Sequence, residues 1–127
     1  MKIKEINTSK MRTFESGATR DSDTDKLDYE GFLSPFVLKR YAEYLHKHRI
    51  QSDGKLRDSD NWTKGIPLSV YMKSMTRHFM EVWMDHKKSS TIYKAVRSTE
   101  EELDSLCALM FNVQGYIFEY LKSLGEI

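Results

Sequence analysis

Four carboxylates in two separate segments are the side chains of this sequence best suited to chemistry. Glu101 and Asp104 stand three residues apart, so on a helix both leave the same side. Glu81 and Asp85 stand four apart, with the same consequence. Between antiparallel helices, two oxygen ligands from each segment could hold Mg²⁺ or Mn²⁺, ions that bind through a few carboxylates together with substrate phosphates. The helix dipole gives a plainer account of part of the pattern. Glu100, Glu101 and Glu102 in a first turn are favoured at its positive end whatever else they do.

Cations accompany the acids. Lys73, Arg77, Glu81 and Asp85 recur every four residues as a charged stripe with His78 beside it, able to meet a polyanion, a metal or water. Further upstream, Arg20 and Lys26 flank the run Asp21, Asp23, Asp25, Asp28. Arg can serve phosphate by its two-pronged fork and Lys as a point charge. The acidic run could take a hard cation, but a solvated loop is the reading its spacing favours, and no glycine stands at the sixth position of a calcium loop. His46 and His48 are two apart and point to different sides of a helix, so they do not make a metal pair. Cys107 lies in an apolar run and reads as a small buried hydrophobe.

Three helices must position these groups. Ser34-Pro35 opens one over 34–48, serine as N-cap and proline in the first turn, with Phe36, Val37, Tyr41, Tyr44 and Leu45 on its apolar face. A polar turn, Asn61-Trp62, leads through Gly65-Ile66-Pro67 into a helix over 67–86 whose apolar face is Tyr71, Met72, Met75, Phe79, Val82 and Trp83. The last helix, 99–124, starts with Thr99 as N-cap and Glu102 completing a capping box, and Gly125 stops it. Its residues Leu103, Leu106, Met110, Val113, Ile117, Leu121 and Leu124 form a seam that faces either the core or a partner. A second face carries Glu101, Asp104, Ala108, Asn112 and Gly115, where the small residues leave room for a base or a close helix crossing. Residues 1–33 read as mostly irregular, with Lys2–Ile6 a short edge strand or a loose end. Residues 86–90 read as a loop, and Ile92–Val96 as a possible short strand. The expected fold is therefore a single all-α domain over 1–127 with a long irregular N-terminal segment.

Composition narrows the function classes. Among 127 residues 39% are apolar and 31% charged, and the net charge of +1 gives no electrostatic case for nucleic acid. One cysteine cannot form an intrachain disulfide, which suits a reducing compartment. No signal peptide and no apolar run near the ~20 residues of a membrane span are found, so the expectation is a cytoplasmic protein.

In order along the chain stand Phe14-Glu15-Ser16-Gly17-Ala18 with Arg20-Asp21, Lys26-Leu27-Asp28-Tyr29, and Ser34-Pro35-Phe36 with Arg40-Tyr41-Ala42. Asn61-Trp62-Thr63-Lys64-Gly65-Ile66-Pro67, Ser74 with Arg77-His78, and Ala108 to Asn112 follow. This set resembles the phage dATP/dGTP diphosphohydrolase N-terminal domain, the MazZ-like branch of the all-α MazG nucleotide pyrophosphatases. The resemblance implies an oligomeric helical fold that binds a nucleoside triphosphate between helices, in the host cytoplasm if the chain is phage-encoded. It also implies a divalent metal held by acids of two helices, water attacking the α-phosphate, and pyrophosphate leaving. Carried over by position, Glu101 and Asp104 match the ExxD carboxylates and are the expected catalytic pair. Asn112 matches the asparagine of the same helix, Arg77 and His78 the Arg-His pair, and Asn61, Trp62 and Lys64 the Asn-Trp turn.

On that basis Glu81, Asp85, Glu101 and Asp104 would hold Mg²⁺ or Mn²⁺. Arg20, Lys26, Lys64 and Arg77 would contact phosphate, and Trp62 would stack on a purine base. Two departures stand out. Asp104-Ser105-Leu106 occupies the place of an expected Asp-His-Leu, and Lys87-Lys88 stands where acids would help hold metal. The leading expectation is a metal-dependent (deoxy)purine nucleoside triphosphate pyrophosphohydrolase. The alternative is a non-catalytic protein of the same fold that sequesters a nucleotide or a nucleotide-derived immune signal, and a helical interaction protein with no nucleotide is a third. Each of them is expected to self-associate through the leucine seam.

Overall fold

A computed structural model describes residues 11–89 and 97–127. The strands considered at Lys2–Ile6 and Ile92–Val96 therefore lie outside the described residues. The chain divides into two compact units, Met1–Ser34 and Pro35–Ile127. It is mostly helical, with one small sheet.

In the first unit, strands β1 (Met11–Thr13) and β2 (Thr19–Asp21) pair antiparallel with Arg12 opposite Arg20. The connecting turn closes where the Phe14 amide donates to Ala18 O, and Gly17 supplies the positive φ of 86° that it requires. Three-residue strands are too short to show a period of two, which is why this segment reads as irregular. A single-turn helix α1 (Tyr29–Phe32) follows, capped by Asp28, whose carboxylate accepts the Gly31 amide at 2.9 Å.

The second unit contains α2 (Pro35–Lys47), a 3₁₀ turn at Asn61–Lys64, α3 (Leu68–Ser89) and α4 (Thr99–Ser123). Helix α3 runs on through His86, Lys87 and Lys88, residues read from the sequence as a loop, and these basic side chains suit the negative end of its dipole. Helix α4 is capped one residue earlier than expected. Ser98 accepts the Glu101 amide, and the Glu101 carboxylate accepts from the Ser98 amide and hydroxyl. The run Ser98-Thr99-Glu100-Glu101-Glu102 satisfies the capping-box spacing in two registers, and the extended backbone of Ser98 selects the first.

Helix α4 is the centre of this unit, with α2 and α3 packed against it. Its inward face is the one with small and polar residues: Ser105, Ala108, Asn112 and Gly115 are buried, together with Cys107. Tyr71 of α3 is the largest fully buried side chain, and its ring lies directly on Gly115. Gly115 thus makes a close helix crossing, with Tyr71 filling the room considered there for a base, and Ala108 is buried on the same face. The leucine seam faces outward instead. Leu106 is 45% exposed and Ile117 53%, and with Phe36 and Val37 of α2 the seam residues line an open apolar groove. Helix α3 is likewise split, since Met72, Phe79 and Trp83 of its expected core face stay exposed.

Candidate functional site

The charged stripe of α3 does not stay on one side. A four-residue step overshoots a turn by about 40°, so the stripe winds from outside to inside as the helix proceeds. Arg77 is exposed, and among the described residues it bonds locally, its Nη2 donating to Ser74 Oγ at 3.4 Å. Glu81 and Asp85 have turned in toward the first two turns of α4.

What meets them there is a cation from the chain itself. The Arg97 guanidinium donates from Nη1 to Asp85 Oδ2 at 2.6 Å. Its Nη2 donates to Ser105 Oγ at 2.8 Å and to the main-chain oxygen of Glu101 at 3.1 Å. Glu81 Oε2 lies 3.8 Å from the same nitrogen, and Glu101 Oε2 lies 3.9 Å from Nε. Ser105 passes the network on, its hydroxyl donating to Glu81 Oε2 at 2.7 Å. His78 Nδ1 stands 3.4 Å from Glu81 Oε1, close enough for an ion pair but without hydrogen-bond geometry. Burial pushes the Glu81 carboxyl up, yet the Ser105 hydroxyl, His78 and Arg97 together hold it below its usual range. The Ser98 amide and hydroxyl, with Arg97 behind them, hold Glu101 low as well.

Asp104 belongs to a different cluster. It faces α2, where it accepts from Arg40 at 2.7 Å and pairs with Lys47 at 2.6 Å. Lys47 also reaches Glu100 at 3.0 Å. Burial raises the Asp104 carboxyl, and the bonds from Lys47 and Arg40 more than reverse it.

The structure does not bring the four expected metal-holding carboxylates to one place. Glu81, Asp85 and Glu101 converge, Asp104 does not join them, and a guanidinium stands at the point of convergence. Mg²⁺ needs its oxygens at about 2.0–2.1 Å, which the carboxylates can reach only by closing over the space Arg97 fills. Among the described residues, no group of three or more His, Cys, Asp or Glu is arranged to hold a metal ion. The residues as placed do not fit a divalent ion.

The remaining candidates are scattered. Asn61, Trp62 and Lys64 lie on the 3₁₀ turn, where Trp62 packs edge-on against Phe118 of α4 with ring centroids 4.6 Å apart. From Ser105 to Phe118 the helix rises roughly 20 Å at 1.5 Å per residue. The Trp62 turn and the Arg97 cluster are therefore two places on the molecule. Asn112 is buried, its side-chain amide donating to Ala108 O at 2.8 Å within its own helix. Arg20 lies on β2 and Lys26 in the loop after it, both in the first unit. Arg97 is the residue that sequence reasoning missed. It sits in no periodic pattern, and only its position one residue before the capping box marks it.

In comparisons with known proteins, no family model, no curated protein and no solved structure matches the chain. Among the described residues no helix is long and apolar enough to cross a membrane.

Proposed function

We propose that this chain is a cytoplasmic MazG-like helical protein that binds a purine nucleotide or a nucleotide-derived signal without cleaving it. The observation that carries this reading is the charge state of the acidic residues. Arg97 is shared among Glu81, Asp85 and Glu101, and Asp104 is tied to Arg40 and Lys47. Cleavage between the α- and β-phosphates would need these acids for a metal that lowers the pKa of the attacking water. Binding needs only cations and an aromatic surface. The exposed Arg77 and Lys64 supply the first, and Trp62, held edge-on by Phe118, keeps part of its ring system accessible.

Self-association is part of the same proposal. Tyr41, Tyr71, Cys107 and Ala108 are the buried apolar residues among those described, a small core for the length of chain. A second copy laid along the leucine seam would enlarge it.

The convergence of Glu81, Asp85 and Glu101 from two helices favours a second reading, the Mg²⁺- or Mn²⁺-dependent pyrophosphohydrolase. It requires Arg97 to leave the cluster. Incubation with dATP, dGTP, ATP and GTP in Mg²⁺, Mn²⁺ or EDTA separates the readings. Intact nucleotide that raises Tm equally in EDTA supports the binder. Monophosphate plus pyrophosphate, formed only with metal, establishes the hydrolase. Neither effect leaves a helical interaction protein and refutes both.

A further inference from the structure

We propose that Arg97 is the resident cation of the Glu81–Asp85–Glu101 cluster, standing in place of a divalent ion, and that Ser105 is the residue that admits it. Two features of the sequence then become one arrangement. The chain has serine where the resemblance implies histidine, and a half-buried arginine, 29% exposed, where it implies a metal. Ser105 is buried, and its hydroxyl both accepts from Arg97 Nη2 and donates to Glu81 Oε2. An imidazole at 105 would project into the volume the guanidinium holds.

Charge and geometry agree on this role. A guanidinium keeps its charge throughout the accessible pH range, so titration does not vacate the position as it would a histidine. Its planar fork satisfies several acceptors at once: Asp85 by one terminal nitrogen, and Ser105 with the Glu101 carbonyl by the other. Glu101 has a further commitment that competes with a metal, because its Oε1 accepts from the Ser98 amide and hydroxyl. Drawing that oxygen onto a divalent ion would release both bonds at the N-terminus of α4, which leaves only Oε2 for a ligand. Asp85, the least exposed of the three acids at 11%, would lose the cation it pairs with among the described residues if Arg97 departed without replacement. The cluster needs a cation, and the chain provides its own.

The test uses Mn²⁺ alone, and its outcome does not depend on whether the chain takes a nucleotide. Free Mn²⁺ is followed by electron paramagnetic resonance while the whole chain as wild type, Asp85→Asn, Arg97→Ala, Arg97→Gln and Arg97→Ala/Asp85→Asn is added, with far-UV circular dichroism as the control for folding. Wild type is expected to leave the free-ion signal unchanged through millimolar protein. Either single variant should bind Mn²⁺ at least tenfold more tightly, and the double variant should lose that gain. Mn²⁺ binding by wild type that disappears in Asp85→Asn overturns the proposal, because the ion then enters beside Arg97. Folded Arg97 variants that bind no more tightly than wild type overturn it as well. Should both substitutions unfold the chain, the wild-type titration with Asp85→Asn still decides.

Discussion

Gly115→Ala should destabilise the protein, although alanine is the better helix former. A Cβ at residue 115 would stand 2.6 Å from Tyr71 Oη and nearer still to the ring carbons Cε1 and Cζ. Carbon atoms in contact sit about 3.5–4.0 Å apart, so the ring and the helix must separate by more than about 1 Å. Tyr71 has nowhere to move, being 1% exposed. Overpacking of this kind costs about 1–3 kcal/mol and sometimes more, while the exchange of glycine for alanine inside a helix returns about 1 kcal/mol. A severe clash puts the first term at or above its upper end, leaving a net loss of roughly 2 kcal/mol. With an unfolding entropy of about 2.1 cal/mol/K per residue, Tm should fall by about 7 °C. The assay is thermal unfolding by circular dichroism, repeated with Tyr71→Leu alone and combined with Gly115→Ala. Because leucine lacks the ring atoms, the double variant should be more stable than the sum of the single changes by about 1 kcal/mol. A Gly115→Ala protein that melts higher than wild type would show helix propensity acting alone, and the Tyr71–Gly115 crossing would be wrong.

Ser105→Ala removes a buried hydroxyl that links Arg97 to Glu81 and should cost about 1–3 kcal/mol in urea unfolding; an unchanged midpoint would mean that the link does not form. Acid should weaken the fold from about pH 4 downward, because the folded carboxyls of Asp104, Glu81 and Glu101 all titrate below their ordinary values. Groups with that sign contribute stability above the unfolded pKa and lose it as pH falls through the folded one. Asp104→Asn should accordingly be less stable at pH 7 and show a flatter acid limb, and identical wild-type and variant pH profiles would refute the pairing with Arg40 and Lys47. Met110→Asp, at a seam position 36% exposed, should leave helicity unchanged while lowering the mass seen by light scattering at high concentration. Equal masses for the two proteins would remove the seam from any interface.

How far the sequence reveals this molecule depends on which physical signal each feature leaves. The three long helices announce themselves through apolar periodicity, a first-turn proline and a capping box, all local signals. Which face of α4 goes inward is another matter. Hydrophobicity ranks Leu103, Leu106, Met110, Val113 and Ile117 first, but close approach of two helices is set by side-chain volume, and Gly115 lets Tyr71 come nearer than any leucine would. A seam of leucines turned outward is then not a misplaced core but a surface that the described residues of the second unit leave exposed. The acidic positions were legible in the same partial way. Spacing puts Glu101 with Asp104 on one side of a helix, yet α4 is flanked by α2 and α3, and a small rotation assigns each acid to a different neighbour. What neutralises the inward acids could not be read from spacing, since a guanidinium arriving from outside any helix carries no period. A metal site and an arginine-filled site present the same carboxylates to a reader of the sequence. They differ in one side chain, and in this protein that side chain is Arg97.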